Sequence, residues 1–91
     1  MSFEAELVSR VRRYLDGQES FKELAWWVDT REAEWDTVEM QLLEPKPIAT
    51  QLGNAVTLTL YEHQHGDHTE RSLHERIAAD FAEIVGSRTA T

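Results

Sequence analysis

Three of the four glycines in this chain follow runs of residues with helical periodicity. Gly17, Gly66 and Gly86 each stand just after a segment in which apolar residues recur every three to four positions. A glycine there can adopt the left-handed conformation that commonly ends an α-helix. Residues 55–61 also alternate as a β-strand would, but no other segment alternates, so a strand would lack a partner. The sequence therefore predicts an all-α fold, with helix rather than strand over residues 55–61.

The expected architecture is a compact bundle of four or five helices, about residues 2–16, 20–30, 31–43, 48–65 and 69–85. Ser2 is a suitable N-cap residue, either Thr69 or Asp67 can cap the last helix, and Ser20-Phe-Lys-Glu23 has the spacing of a capping box. Asp29-Thr-Arg-Glu32 could cap a fresh helix, which favours two helices rather than one long helix between residues 20 and 43. The predicted single domain covers residues 1–86, and residues 87–91 are expected to form a frayed tail.

Composition limits the class of protein. A chain of 91 residues supports one domain with one modest core, for which Trp26, Trp27 and Trp35 are bulky candidates. The sequence contains no cysteine and no apolar run approaching the roughly 20 residues that a membrane span requires. Its acidic, amphipathic start differs from a signal peptide. These features predict a cytoplasmic protein that is not embedded in a membrane.

The net charge of −8 is concentrated in one segment. Residues 17–44 carry eight acidic and only two basic residues. Such a chain is repelled by phosphate, which argues against nucleic-acid binding. If the charge serves recognition, the partner should be basic; the alternative is that it serves solubility.

A candidate partner-binding face lies within this acidic segment. On one continuous helix, the four acids would form a stripe beside the apolar face; they are Asp29, Glu32, Asp36 and Glu39. Trp26 and Trp27 point in directions about 100° apart on a helix, so both cannot face the same core seam. We expect one of them to be packed against another neighbour or partly exposed. Acids beside tryptophans are typical of a binding face, although a solvated helix flank has the same composition.

A histidine-rich segment offers a different interpretation. Its residues spell His-x-His-x-Asp-His, with His63, His65, Asp67 and His68 as possible metal ligands. This signature resembles that of metallo-β-lactamase-fold hydrolases, and the resemblance implies zinc-activated water. The match covers six residues, however, and that fold needs a much longer chain and further ligands downstream. The alternative is that the histidines decorate a helix–helix turn. No other catalytic constellation is evident, so we expect neither an enzyme nor a cofactor.

A broader resemblance covers most of the chain. Residues 14–27 read Tyr-Leu-Asp-Gly-Gln-Glu-Ser-Phe-Lys-Glu-Leu-Ala-Trp-Trp, and residues 60–73 read Leu-Tyr-Glu-His-Gln-His-Gly-Asp-His-Thr-Glu-Arg-Ser-Leu. This pattern is similar to that of small bacterial helical proteins, mostly uncharacterised, some of which resemble immunity proteins that neutralise bacteriocins or contact-dependent toxins. The Pro45-Lys-Pro47 break and the histidine-rich turn depart from the pattern. The resemblance implies a helical inhibitor that binds a protein.

The sequence thus predicts a small, acidic, non-catalytic protein-binding module, in its sharpest form an immunity or antitoxin-like inhibitor of a basic partner. The expected contact residues are Trp26, Trp27, Asp29, Glu32, Asp36 and Glu39. Two alternatives stay open. One is a metal-binding or zinc-hydrolase-like protein that uses the histidine-rich segment. The other is a self-associating subunit in which Trp26 or Trp27 closes a homodimer.

Overall fold

Five α-helices make up the fold in a computed structural model that describes residues 2–89. They are α1 Phe3–Leu15, α2 Phe21–Thr30, α3 Val38–Leu42, α4 Ile48–Gln64 and α5 Glu70–Thr89, with a 3₁₀ turn at Glu32–Glu34 between α2 and α3. No strand occurs among residues 2–89. The all-α prediction is confirmed, and so is the choice of helix over strand for residues 55–61.

Three helices begin where the sequence places a capping residue. The hydroxyl of Ser2 accepts a hydrogen bond from the amide of Ala5, and that of Ser20 from the amide of Glu23, both at 3.1 Å. At the start of α5, Thr69 and Ser72 cap each other. The Thr69 hydroxyl accepts from the Ser72 amide, and the Ser72 hydroxyl accepts from the Thr69 amide. These bonds satisfy amides that have no partner inside the helix.

Two of the three predicted glycine stops are confirmed. Gly17 and Gly66 both have φ of +80°, the conformation that closes a helix C-terminus. After Gly66, the amide of Asp67 donates to the Glu62 carbonyl at 3.0 Å. Gly86 was expected to end α5, and this prediction is wrong: the helix continues through Gly86 to Thr89. A glycine inside a helix lowers the stability of that helix only modestly, so the helix can continue through it.

The expected tail is therefore shorter than residues 87–91. Residues 87–89 extend α5, and residues 90 and 91 lie outside the described residues.

The predicted break between residues 20 and 43 is confirmed, but the helix expected over residues 31–43 covers only Val38–Leu42. The chain leaves α2 at Thr30, makes the 3₁₀ turn, and becomes α-helical again only at Val38, where the Thr37 hydroxyl accepts from the Met40 amide. Asp29, a proposed cap, lies inside α2. Trp35 provides the physical reason: its ring turns into the core, and its Nε1–H donates to the Val28 carbonyl at 3.0 Å.

A continuous core joins α1, α2, α4 and α5 around the inserted Trp35 ring. Its buried residues are Leu7, Val11, Tyr14, Phe21, Leu24, Ala25, Trp27, Val28, Trp35, Ala49, Leu52, Val56, Leu73 and Ile77. Val38 and Leu42, which the helical pattern would have added to the apolar stripe, remain 72% and 75% exposed. Instead, α3 is held against α4 by two hydrogen bonds, in which the side-chain amides of Gln41 and Asn54 each donate to the oxygen of the other.

Trp35 is accommodated because α4 has no side chain at the point of contact. A Cβ added at Gly53 would overlap the indole ring of Trp35. On the other side of the same residue, the Thr50 hydroxyl donates to the Trp35 carbonyl at 2.8 Å. Both contacts come from the first two turns of α4, so they fix the irregular segment against that helix.

Among residues 2–89, no helix is both long enough and apolar enough to cross a membrane.

The fit of Trp35 against Gly53 can be tested with two glycine substitutions. Gly53→Ala should lower the free energy of unfolding by about 1–3 kcal/mol, because the new methyl group overpacks the core. Gly86→Ala is the matched control. It should raise the free energy of unfolding by roughly 0.5–1 kcal/mol, because it adds helix propensity and the added Cβ meets no heavy atom within 4 Å apart from its chain neighbours and its own helix backbone. Urea denaturation followed by circular dichroism measures both, and equal effects of the two substitutions would contradict this packing.

Candidate binding groove

The two adjacent tryptophans have opposite environments. Trp27 is 3% exposed, whereas Trp26 is 66% exposed. The Trp27 ring stacks on Phe3 with centroids 5.1 Å apart, and the guanidinium groups of Arg10 and Arg31 lie 4.7 and 5.0 Å from its centroid. The expectation that only one of the pair faces the core is confirmed. Burial removes Trp27 from the predicted binding face and leaves Trp26 as the accessible tryptophan.

The four acids of the predicted stripe do not share a helix. Asp29 lies in α2, Glu32 in the 3₁₀ turn, Asp36 in the turn that follows Trp35, and Glu39 in α3. Asp36 is half-buried, and its carboxylate accepts a hydrogen bond from Gln41 at 2.7 Å. The other three are exposed. The stripe was predicted on the assumption of helical geometry through residues 31–37, and the inward turn of Trp35 removes that geometry.

A groove of about 900 Å³ lies beside Trp26. It runs between the turn that joins α1 to α2 and the turn that joins α4 to α5. Trp26 and Asp29 are the two members of the predicted face that line it. The other lining residues are Tyr14, Gly17, Glu19, Ser20, Phe21, Lys22, Ala25, Leu60, His63, Gln64, Glu70, Leu73 and His74. Helix geometry therefore brings residues that are some 50 positions apart in sequence into one surface feature.

Glu19 is the most deeply buried charged side chain of this groove. Its side chain is 2% exposed, and its Oε1 accepts a hydrogen bond from the Arg10 guanidinium at 2.9 Å. Its Oε2 is buried and has no hydrogen-bond partner among residues 2–89. A buried carboxylate oxygen that accepts no hydrogen bond destabilises the free protein. A ligand that donates a hydrogen bond to this oxygen would remove that cost.

Two histidines also line the groove. The His63 ring meets the Phe21 ring edge-on at 6.3 Å, and its buried Nδ1 has no hydrogen-bond partner among residues 2–89. His74 lies 5.6 Å from the Tyr14 ring, and its Nε2–H donates to the Leu15 carbonyl at 2.9 Å. Burial, and secondarily the negative charge of Glu70, raises the pKa of Tyr14, so its phenol stays neutral at physiological pH.

The possible metal ligands of the histidine-rich segment are not brought together. His63 lies in α4, His65 bonds the Tyr61 carbonyl at 2.8 Å, and His68 follows the turn at Gly66. Among residues 2–89 there is no group of three or more His, Asp or Glu side chains placed to hold a metal ion. The glycine turn redirects the chain between the histidines, which separates ligands that a strand-and-loop geometry would have gathered.

His68 instead takes part in an ionic cluster between α4 and α5. Its Nε2 lies 2.9 Å from Glu62 Oε1, and the Arg76 guanidinium bonds the same oxygen at 3.1 Å. The hydrogen bond from His68 and the charge of Arg76 hold the pKa of Glu62 below its usual range. This cluster was not predicted, because Glu62 and Arg76 stand 14 positions apart and meet only once the turn at Gly66 folds back.

Searches against protein-family models, curated proteins and solved structures found no match to this chain.

Most groove residues were also missed by the sequence interpretation, which assigned Tyr14, Phe21 and Leu73 simply to helix faces or caps. One signal was present. The turn at Gly17 lines the groove, and the turn at Gly66 joins the ends of α4 and α5, where Gln64 and Glu70 line it. A search for surfaces at paired turns could have found it.

Acrylamide quenching of tryptophan fluorescence tests the different environments of the tryptophans. Because Trp26 alone of the three is exposed, Trp26→Phe should remove nearly all of the readily quenched emission. Acrylamide is uncharged, so the surrounding acids do not repel it. Trp27→Phe serves as the control and should leave the quenched component in place. Similar quenching of both variants would contradict the assigned burial.

The Glu62 cluster predicts a pH-dependent contribution to stability. Since the folded pKa of Glu62 lies below its unfolded value near 4.5, its contribution is complete above that value and is lost as pH falls through the folded pKa. Glu62→Gln should therefore be less stable than wild type at pH 7, and the difference should shrink as the pH falls below about 4.5. Glu75→Gln is the control, because Glu75 forms only an exposed pair with Arg71. Urea midpoints across this pH range measure the difference, and a constant difference would contradict the assignment.

Proposed function

We propose that this protein is an acidic protein-binding module that engages a basic partner through the groove beside Trp26. The observation that supports it most is the exposure of Trp26 on a groove that Asp29 also lines. Tryptophan is among the residues that contribute most energy to protein interfaces.

Charge supports a basic partner. Three carboxylates line the groove, from Glu19, Asp29 and Glu70, against the single ammonium group of Lys22. The whole chain carries −8. Acids outside the groove add to the negative potential without touching the ligand, so they accelerate encounter with a positive surface.

The most specific form of this proposal is that the protein is an immunity or antitoxin-like inhibitor. The helical pattern in residues 14–27 and 60–73 supports it, because those segments supply much of the groove. Inhibition would act by occlusion. The partner's arginines and lysines would pair with the carboxylates, and Trp26 would pack at the centre of the contact, where water is excluded.

The groove proposal can be tested by capturing proteins from native cells with tagged variants. Trp26→Ala should weaken binding of the specific partner by about thirtyfold, since such an anchor contributes about 2 kcal/mol. Asp29→Lys should also weaken it, and in wild type the retained fraction should fall as salt rises. Glu83→Lys is the matched control, because Glu83 is an exposed acid on α5 outside the groove.

Equal capture by all four proteins would overturn the proposal. For the immunity version, the captured protein should be toxic when produced alone and harmless when produced with wild type.

Self-association is a second candidate, favoured by a separate observation. Val38, Leu42 and Leu43, in α3 and just after it, are all at least half exposed. Val38 and Leu42 lie four residues apart and therefore share one face of the helix. Sedimentation should show a dimer that Leu42→Glu converts to monomer. A monomeric wild type at high micromolar concentration would rule against this candidate.

A further inference from the structure

The groove combines an apolar floor with carboxylates, and this combination restricts what can occupy it. We infer that it takes a segment of the partner in which an arginine or lysine stands next to a large apolar residue. The inference rests on the proposed function and adds the chemistry of the bound segment.

The floor of the groove suits the apolar residue. Tyr14 and Phe21, which meet edge to face with centroids 5.7 Å apart, and Leu73 are buried beneath the groove, so Leu60 and Trp26 supply its accessible apolar surface. Leu60 is only half-buried in the free protein, so part of its side chain faces solvent. An inserted aliphatic or aromatic side chain would remove this surface from water, which is favourable in proportion to the area covered.

Glu19 suits the cationic residue. Arg10 occupies Oε1 and leaves Oε2 without a donor. A guanidinium or ammonium group carries only donors, so it can supply the missing hydrogen bond and a positive charge together. A neutral amide could supply the hydrogen bond but would not match the further carboxylates at Asp29 and Glu70.

Trp26 provides a further surface on which a basic side chain of the partner can pack. The protein already stacks guanidinium groups on an indole, since Arg10 and Arg31 lie 4.7 and 5.0 Å from the Trp27 centroid. The neighbouring Trp26 ring is 66% exposed. A basic residue that enters beside Asp29 can therefore lie against Trp26 with its aliphatic stem and its charge.

A second copy of this chain fits the groove less well than a basic partner. It would bring its own acidic segment, residues 17–44, towards the carboxylates that already line the groove. Like charges placed opposite each other oppose association.

The probe is a blocked hexapeptide, Gly-Ser-Phe-Arg-Ser-Gly, titrated into the full-length ¹⁵N-labelled protein by NMR. Groove amides such as those of Gly17 and Phe21, and the Trp26 indole, should shift at millimolar peptide. A peptide with Glu in place of Arg should bind about tenfold more weakly, and so should one with Ala in place of Phe. Glu19→Gln and Asp29→Asn should each weaken binding of the arginine peptide, whereas Glu83→Gln, outside the groove, should not.

Absence of groove shifts at millimolar peptide would overturn the inference. So would equal binding of the Arg and Glu peptides, or unchanged affinity in both Glu19→Gln and Asp29→Asn. Asp29 is exposed, so its variant remains informative if Glu19→Gln does not fold.

The two proposals fail in different ways. If Trp26→Ala no longer captures the cellular partner but wild type does not bind the peptide, the inference about the bound segment is wrong and the proposed protein-binding function is still supported. If Trp26→Ala captures the partner as well as wild type does, the proposed function is wrong.

Discussion

The arrangement of this protein depends on one close contact, the indole of Trp35 packed directly on the backbone of Gly53. The ring is 3% exposed and donates to the Val28 carbonyl, so it links the end of α2 to the first two turns of α4. No side chain larger than hydrogen fits at Gly53 without movement. To bring the ring inward, the chain gives up regular helix between Thr30 and Val38. This single insertion explains both the break after α2 and the exposed position of α3.

The groove is a consequence of how the helices end. The turns at Gly17 and Gly66 border the same feature, and each uses a left-handed glycine followed within three residues by an N-cap. Residues near these helix ends, among them Lys22, Leu60 and Glu70, line the groove. Because Trp27 must face the core, Trp26 is turned about 100° away and reaches this surface. The accessible tryptophan thus follows from the helical repeat and the position of the core.

Local signals in the sequence were sufficient for much of the fold. Caps at Ser2, Ser20 and Thr69 and stops at Gly17 and Gly66 depend on neighbouring residues, so they could be read directly. The segment from 31 to 43 could not, because its helical periodicity is overridden by a tertiary contact with Gly53. The acidic stripe failed for the same reason. Gly86 was misjudged because a glycine permits a helix to end without requiring it.

The residues that line the groove divide in the same way, into those that local sequence signals identify and those that depend on tertiary packing. Trp26 and Asp29 were identified by composition and spacing, and both line the groove. Glu19 was not identified, because its burial and the lack of a donor to Oε2 among residues 2–89 become visible only once the chain is packed. The histidine-rich segment shows the opposite case. Its spacing matched a metal signature, but the reversal at Gly66 separates the ligands, and His68 pairs with Glu62 instead.

Hydrogen exchange of the protein with and without its captured partner tests the central claim most directly. The groove proposal predicts slower exchange in the peptides that cover residues 14–29 and 60–74, which border the groove. It predicts little change over α3 or the last turns of α5, which lie outside it. Protection confined to α3, with unchanged exchange in residues 14–29, would contradict the claim that the partner binds beside Trp26.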